Sequence, residues 1–162
     1  MNTKKFIRIS MLTALAVVLT MVPKIPTPTG GYVHFGDSII YLASIFLGPW
    51  AGAAVGAVGH SLADIIGGYP IFALPTFFIK GLMGYTLGKI AYNKIDAKHL
   101  SLAAIAALLI VTIGYFVVEI PMYGLPGALI SLVSSPVQWL MSIVASSILI
   151  PIVQRIRHKI DL

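Results

Sequence analysis

The sequence contains no cysteine, which excludes a disulfide framework, a thiolate metal site and a cysteine nucleophile, and leaves the redox compartment unmarked. Charge is scarce. Charged residues make up 10% of the 162-residue chain, and only 5 of them are acidic. No Gly-x-Ser-x-Gly elbow, His-Glu-x-x-His pair or phosphate-binding glycine loop ending in Lys-Ser/Thr occurs, so the usual hydrolase, zinc-protease and nucleotide sites are missing. His60, Ser61 and Asp64 make no nucleophile triad, because they fall within about one helical turn and do not converge from separate elements. These absences predict a non-enzyme without a cofactor or metal of its own, and any ATP-driven role then needs partner subunits.

What the sequence has in quantity is apolar surface: 58% hydrophobic residues and a mean hydropathy of +0.96. One water-soluble core cannot hide so much, so lipid is the expected solvent. The pattern predicts an all-α polytopic membrane protein, a single domain over 1–162 with six transmembrane helices at 6–22, 37–48, 51–67, 72–92, 101–121 and 134–155. Gly48-Pro49 breaks an apolar stretch too long for one span and turns it into a helical hairpin. The first apolar run follows Lys4, Lys5 and Arg8 like a secretory signal, but no small-x-small cleavage site follows it, so it reads as the first membrane helix.

The net charge of +6 does not point to nucleic acid, since the basic residues lie between apolar segments and not on one polar face. With both termini cytoplasmic, Lys4, Lys5, Arg8, Lys89, Lys94, Lys98, Arg155, Arg157 and Lys159 fall inside and only Lys24 lies in an outer loop, in accord with the positive-inside rule. The outer loop from Pro23 to Phe35 is rich in Pro and Gly. It reads as a lid with a hinge at Gly30-Gly31, or as a plain connector. Two compact outer turns are expected, at Ile66 to Pro70 and at Tyr123 to Gly127.

Small residues line up at Gly52, Gly56, Gly59 and Ala63 on the third segment and at Gly81, Gly84 and Gly88 on the fourth, a pattern that lets membrane helices pack closely within the domain. Ser10 and Ala14 on the first segment form one more small-xxx-small step, suited to contact with another membrane subunit.

Ionisable groups at membrane depth carry the functional signal, because an unpaired charge there costs several kcal/mol. Lys80 is about 13 Å below the outer end of its helix at helical rise, near the midplane. Asp64 and Glu119 are its expected counter-charges. The functional reading sets Lys80 and Glu119 at opposite ends of a polar cavity for a small polar substrate, and the structural one makes the charges an ion pair and nothing more. Thr112, Tyr115 and Glu119 share a face that Tyr123 continues. Gln138, Ser142 and Trp139 add amide, hydroxyl and ring partners. Such a pocket suits a flat heterocycle, while an interfacial aromatic belt accounts for Tyr69 and Trp139 but not for Glu119. His60 and Asp64, spaced i, i+4, are a candidate proton relay or half of a metal site, against a plain packed histidine. His34 in the first outer loop either touches substrate or caps the second helix.

The stretches GYVHFGDSIIYLA from Gly31, LGPWAGAAVGAVG from Leu47, SLADIIGGYP from Ser61 and PTFFIKGLMG from Pro75 resemble the S components of energy-coupling factor (ECF) importers, an ABC-type class. The likeness is to the branch that includes riboflavin, hydroxymethylpyrimidine and pyridoxine (vitamin B6) types, and it covers nearly the whole chain. The resemblance implies a vitamin-binding subunit of a bacterial cell membrane. Such a subunit loads its substrate on the outer side and topples when it docks on a transmembrane T subunit and two cytoplasmic ATPases that use the ATP. It implies a pocket built from the first outer loop and the outer parts of the fourth to sixth helices, so the expected substrate-binding residues are Lys80, Glu119, Tyr115, Tyr123, Gln138, Trp139, His34 and Thr76. Docking in the family uses Ala-x-x-x-Ala on the first helix, where this chain has Ser10-x-x-x-Ala14. A pyridoxine-like or pyrimidine-precursor ring is the first substrate expected and riboflavin the second. The rival is a stand-alone proton-coupled carrier titrating His60, Asp64 and Glu119.

Overall fold

The computed structural model describes residues 3–22, 24–26 and 32–159. Helix α1 spans Thr3–Met21, and a two-residue strand β1, Ile25–Pro26, pairs antiparallel with β2, Tyr32–Val33. Helices α2, Asp37–Leu47, and α3, Pro49–Ala54, are joined at Gly48, whose φ of 96° suits a residue without a Cβ. A π-helical turn, Val55–Gly59, leads into α4, His60–Ile66, and then come α5, Pro70–Ala91, α6, Ala97–Ala128, and α7, Ser131–Lys159. The hinge proposed at Gly30-Gly31 and the prolines at 23 and 28 lie outside the described residues.

The chain is all-α apart from the small hairpin, and α5, α6 and residues Ser131–Ile156 of α7 are long and apolar enough to cross a membrane. Their packing is that of a protein solvated by lipid. On α6 the buried face carries Ala103, Ala104, Ala107 and Val111, whereas the larger Leu102, Ile105, Leu109, Ile113 and Val117 point outward. Small residues inside let helices approach, and bulky ones outside meet acyl chains.

The glycine faces meet within the domain. A Cβ on Gly84 would lie 2.2 Å from the Gly52 carbonyl oxygen, and one on Gly56 would lie 2.3 Å from that of Lys80. The four small residues of the third segment do not share one face, however. The π-helical turn rotates the helix between them, so Gly52 and Gly56 face α5 while Gly59 faces Thr13 and Ala16 of α1. Near the other end of the bundle Asp96 caps α6, accepting from the His99 backbone N–H at 3.1 Å. That N–H, then the His99 ring, holds the Asp96 carboxyl below its usual range.

The bounds of α6 and α7 differ from expectation. Helix α6 continues past Pro121 to Ala128 with a single break at Gly124, φ 72°. The turn into α7 therefore falls at Leu129 and Ile130 and not at Tyr123 to Gly127. Ser10 and Ala14 are exposed beside Met11 and Val18, away from Ala16 and Thr20, which α1 buries.

Candidate functional site: a polar cavity at one end of the bundle

One cavity of about 640 Å3, including its open mouth, lies where α1, the β-hairpin and α4 to α7 come together; its lining includes Tyr32, His34, Asp64, Phe72, Thr76, Lys80, Tyr115, Glu119 and Gln138. Helix ends gather there. Thr20 closes α1, Asp64 is near the end of α4, Phe72 and Thr76 are in the first turns of α5, and Ser131, Ser134 and Ser135 open α7.

Lys80 forms part of the floor, and its partner lies just beneath. Lys80 Nζ donates to Asp37 Oδ2 at 2.7 Å and to Oδ1 at 2.9 Å, with both residues almost fully buried. Neither Asp64 nor Glu119 is the counter-charge. Asp37, the first residue of α2, takes that place because α2 packs against α5 across the middle of the bundle. His60 Nε2 lies 3.1 Å from Asp37 Oδ1, while its Nδ1 has no hydrogen-bond partner among the described residues. His60 therefore faces Asp37 and not Asp64. It is packed, with one ring nitrogen against that carboxylate.

The hairpin is tied down over this floor from two sides. Gln138 clamps the His34 backbone, its Oε1 accepting from the amide N–H at 2.7 Å and its Nε2 donating to the carbonyl at 2.8 Å. His34 Nδ1 accepts from the Gly36 N–H at 3.1 Å, and burial holds the ring neutral, well below its usual pKa. On the other side Tyr32 donates to Asp64 Oδ1 at 2.6 Å, and burial, reinforced by that carboxylate, pushes the phenol far above its ordinary pKa. Lys24 Nζ sits 4.4 Å from the ring centroids of both Tyr32 and Tyr69 and donates to the Gly67 carbonyl at 2.8 Å. Thr76 and Tyr115 share a hydrogen bond of 3.0 Å between hydroxyls on the far wall, and Phe72 lies 6.5 Å from Tyr115 ring to ring.

Of the residues singled out in the sequence, Lys80, Glu119, Tyr115, Thr76, Gln138 and His34 line this cavity. Trp139 and Tyr123 do not. Trp139 donates to the Ala104 carbonyl at 2.7 Å and faces a smaller cavity with Asp37, Tyr41 and Ser142, while Tyr123 is partly exposed with its ring 6.3 Å from Phe72. Asp37, Tyr32, Phe72 and the α7 serines went unrecognised. Asp37 was within reach of the same rule that selected Lys80, since it too is an ionisable residue inside an apolar run; the others have no local signal.

The decisive feature is what remains unpaired. Among the described residues, Thr20 Oγ1, His60 Nδ1, Asp64 Oδ2 and Glu119 Oε2 are buried without a hydrogen-bond partner and belong to residues lining the cavity, while Tyr41, Thr112 and Ser146 hold three more such atoms elsewhere. Buried polar atoms are normally satisfied, so these atoms could take hydrogen bonds from a molecule occupying the cavity. A helical membrane protein with such a cavity at one end of its bundle is a solute-binding membrane protein.

The family follows from comparison. The model for the ECF-type riboflavin transporter S component matches residues 1–158, and the chain belongs to that family of vitamin transporter subunits. Its fold aligns over 100% of both chains, at a TM-score of 0.71 and 27% identity, with a solved structure described as the S component of a bacterial ECF transporter. It is 28% identical to the thiamine precursor transporter HmpT of Lactococcus lactis subsp. cremoris over 95% of this chain and 90% of the relative. It is also 35% identical to an uncharacterised protein of Pyrococcus woesei, over 78% of this chain and 86% of that one.

Proposed function

We propose that this S component binds a small single-ring vitamin precursor, of the pyrimidine kind that a thiamine-precursor transporter carries, and hands it to an ATP-driven importer. The observation that carries the reading is the set of unpaired buried polar atoms around one cavity. Phe72 and Tyr115 offer faces for one flat ring, while hydroxyls and carboxylates cover much of the remaining wall. That balance favours a small hydroxymethyl heterocycle over riboflavin, whose extended ring system needs a longer aromatic slot. The thiamine-precursor relative supports the same choice.

In this reading the chain crosses the membrane six times, as α1, α2, the α3 to α4 segment, α5, α6 and α7, with both termini cytoplasmic and the cavity facing out. Helix α2 has only 11 residues, about half a hydrocarbon core at helical rise. The exposed small-residue step at Ser10 and Ala14 is the docking face for a T subunit. Two ATPases on that subunit supply the energy, and the S component topples to release substrate inward.

The test is to purify the chain in detergent without added ligand, extract it with acid and identify any bound molecule by mass spectrometry. A stoichiometric aminopyrimidine, absent from a Glu119→Gln, Thr76→Val variant that still folds, is expected. Stoichiometric riboflavin would overturn the substrate assignment. Uptake by liposomes containing this chain alone and driven by a proton gradient would overturn the S-component role.

A further inference from the structure

The end of the bundle away from the cavity is basic. Lys5 near the start of α1, Lys89 near the end of α5, Lys94 and Lys98 around the α5–α6 turn, and Arg155 near the end of α7 are all exposed there. Among the described residues the acidic side chain at this end is Asp96, and His99 Nδ1 stands 2.7 Å from it. Asp37, Asp64 and Glu119 lie at or beneath the cavity.

Within this basic end, the seam between α3 and α5 combines charge with rings. The two helices run almost backbone to backbone, since a Cβ on Gly88 would lie 2.4 Å from Pro49 Cα. That approach sets Trp50, the second residue of α3, against Tyr85 of α5, with ring centroids 5.0 Å apart at 64°. Lys89 follows one turn along the same face of α5, its Nζ 5.6 Å from the Tyr85 centroid. In the other direction that face carries Leu82 and Phe78, 55% and 65% exposed. Toward the end of the helix the face is therefore apolar, apolar, amphipathic and cationic, which is the order of a lipid leaflet from acyl chain to headgroup. At helical rise Lys89 is about 13.5 Å beyond Lys80, close to half the thickness of a hydrocarbon core.

Trp50 is 75% exposed. Among the described residues neither its indole N–H nor the Tyr85 hydroxyl is taken up by a neighbour, and Lys89 is in no ion pair. The dipole of α5 accounts for a lysine in its last turn, but not for an exposed indole beside it. Together the three side chains offer a phosphodiester one cation and two further donors, with Leu82 and Phe78 as a track for its acyl chains. An acidic protein surface would meet the same charge but has no use for that track.

The geometry points to a binding site for one anionic phospholipid headgroup at the α3–α5 seam, with Lys89 as its charge contact and Trp50 and Tyr85 as its walls. The site is at the opposite end of the bundle from the cavity and does not depend on which substrate the cavity takes.

The test is quenching of Trp50 fluorescence in phosphatidylcholine vesicles that contain, at the same mole fraction, phosphatidylglycerol or phosphatidylcholine with brominated acyl chains. The chain has 2 tryptophans, and the Trp50→Phe protein, which keeps Trp139, supplies the blank. Brominated phosphatidylglycerol is expected to associate at Trp50 about fivefold more strongly than brominated phosphatidylcholine, the factor that one lysine beside an anionic headgroup gives. Lys89→Gln should bring the two lipids level, whereas Lys98→Gln, an equal loss of charge outside the seam, should leave the preference unchanged. Equal quenching by the two lipids in the unmodified protein overturns the proposal and leaves the basic end to a protein partner; that comparison stands even if a lysine variant does not fold. Equal losses in Lys89→Gln and Lys98→Gln also overturn it, because they show a diffuse basic surface without a site. Loss of the preference in inorganic phosphate at constant ionic strength overturns the lipid as ligand and assigns the seam to the free anion.

Discussion

Lys80 and Asp37, 43 residues apart in sequence, form a two-point ion pair of 2.7 and 2.9 Å that is buried at the centre of the bundle. Taking both charges out of water is costly, and each is tolerable only because the other is there. Lys80→Met and Asp37→Asn are each expected to destabilise the protein by about 3 to 5 kcal/mol, since each leaves an uncompensated partner. The double variant Asp37→Asn, Lys80→Met should recover most of that loss. Thermal unfolding of the four proteins in one detergent checks the cycle, and additive losses would show that the pair is not the unit.

Gln138 holds the His34 backbone through two hydrogen bonds that no aliphatic side chain replaces. Gln138→Leu should cost about 1 to 3 kcal/mol at typical values per hydrogen bond. It should also speed ligand dissociation, because the hairpin that covers the cavity loses its anchor on α7. Unfolding and dissociation rates measured together separate the two effects. A variant that keeps its stability and its dissociation rate would remove Gln138 from this role.

The carbonyl of Gly52 lies where a Cβ on Gly84 would be, at 2.2 Å. Gly84→Ala forces α3 and α5 apart and should destabilise the fold by about 1 to 3 kcal/mol, the usual range for overpacking. The effect is read as a lower unfolding temperature with no change in ligand preference.

His34 is kept neutral by burial, so its folded pKa lies below its unfolded value of about 6.5. Below that pH the unfolded chain takes up a proton that the folded chain refuses, and stability falls as pH falls; above it this group contributes no pH dependence. The slope approaches about 1.4 kcal/mol per pH unit for one proton. Comparing unfolding at pH 7.5 and 5.5 with that of His34→Gln isolates the term. Equal slopes in the two proteins would mean that His34 titrates normally.

Lys24 rests between the rings of Tyr32 and Tyr69 and ties the hairpin to the turn after α4. Lys24→Met removes the cation and should weaken the hairpin by about 1 kcal/mol, a typical figure for a partly exposed cation–π contact. Faster backbone amide exchange at Tyr32 and Val33 is the expected observation.

Much of this was legible in the residues. The π-helical turn was not, because no residue type announces a one-residue change of phase, and a straight helix from Gly52 to Ala63 predicts one glycine face where there are two. The cap at Asp96 went unread, and the helix it opens was expected to begin only at 101. The hydroxyls of Ser131, Ser134 and Ser135 carry no signal until α7 is placed beside α5 and α6.

By itself the sequence determined the solvent, the helical class and the short list of polar residues that lipid cannot tolerate unpaired, because these follow from composition and from the cost of charge in hydrocarbon, and its motif stretches carried the resemblance to the family. The tertiary structure alone decided the partners. Lys80 turned to Asp37, His60 lay against Asp37 instead of Asp64, Gln138 was taken up by the His34 backbone, and Glu119 was left free. Pairing of that kind depends on which faces of distant helices meet and in what phase. That is a long-range property of packing, and local spacing does not encode it.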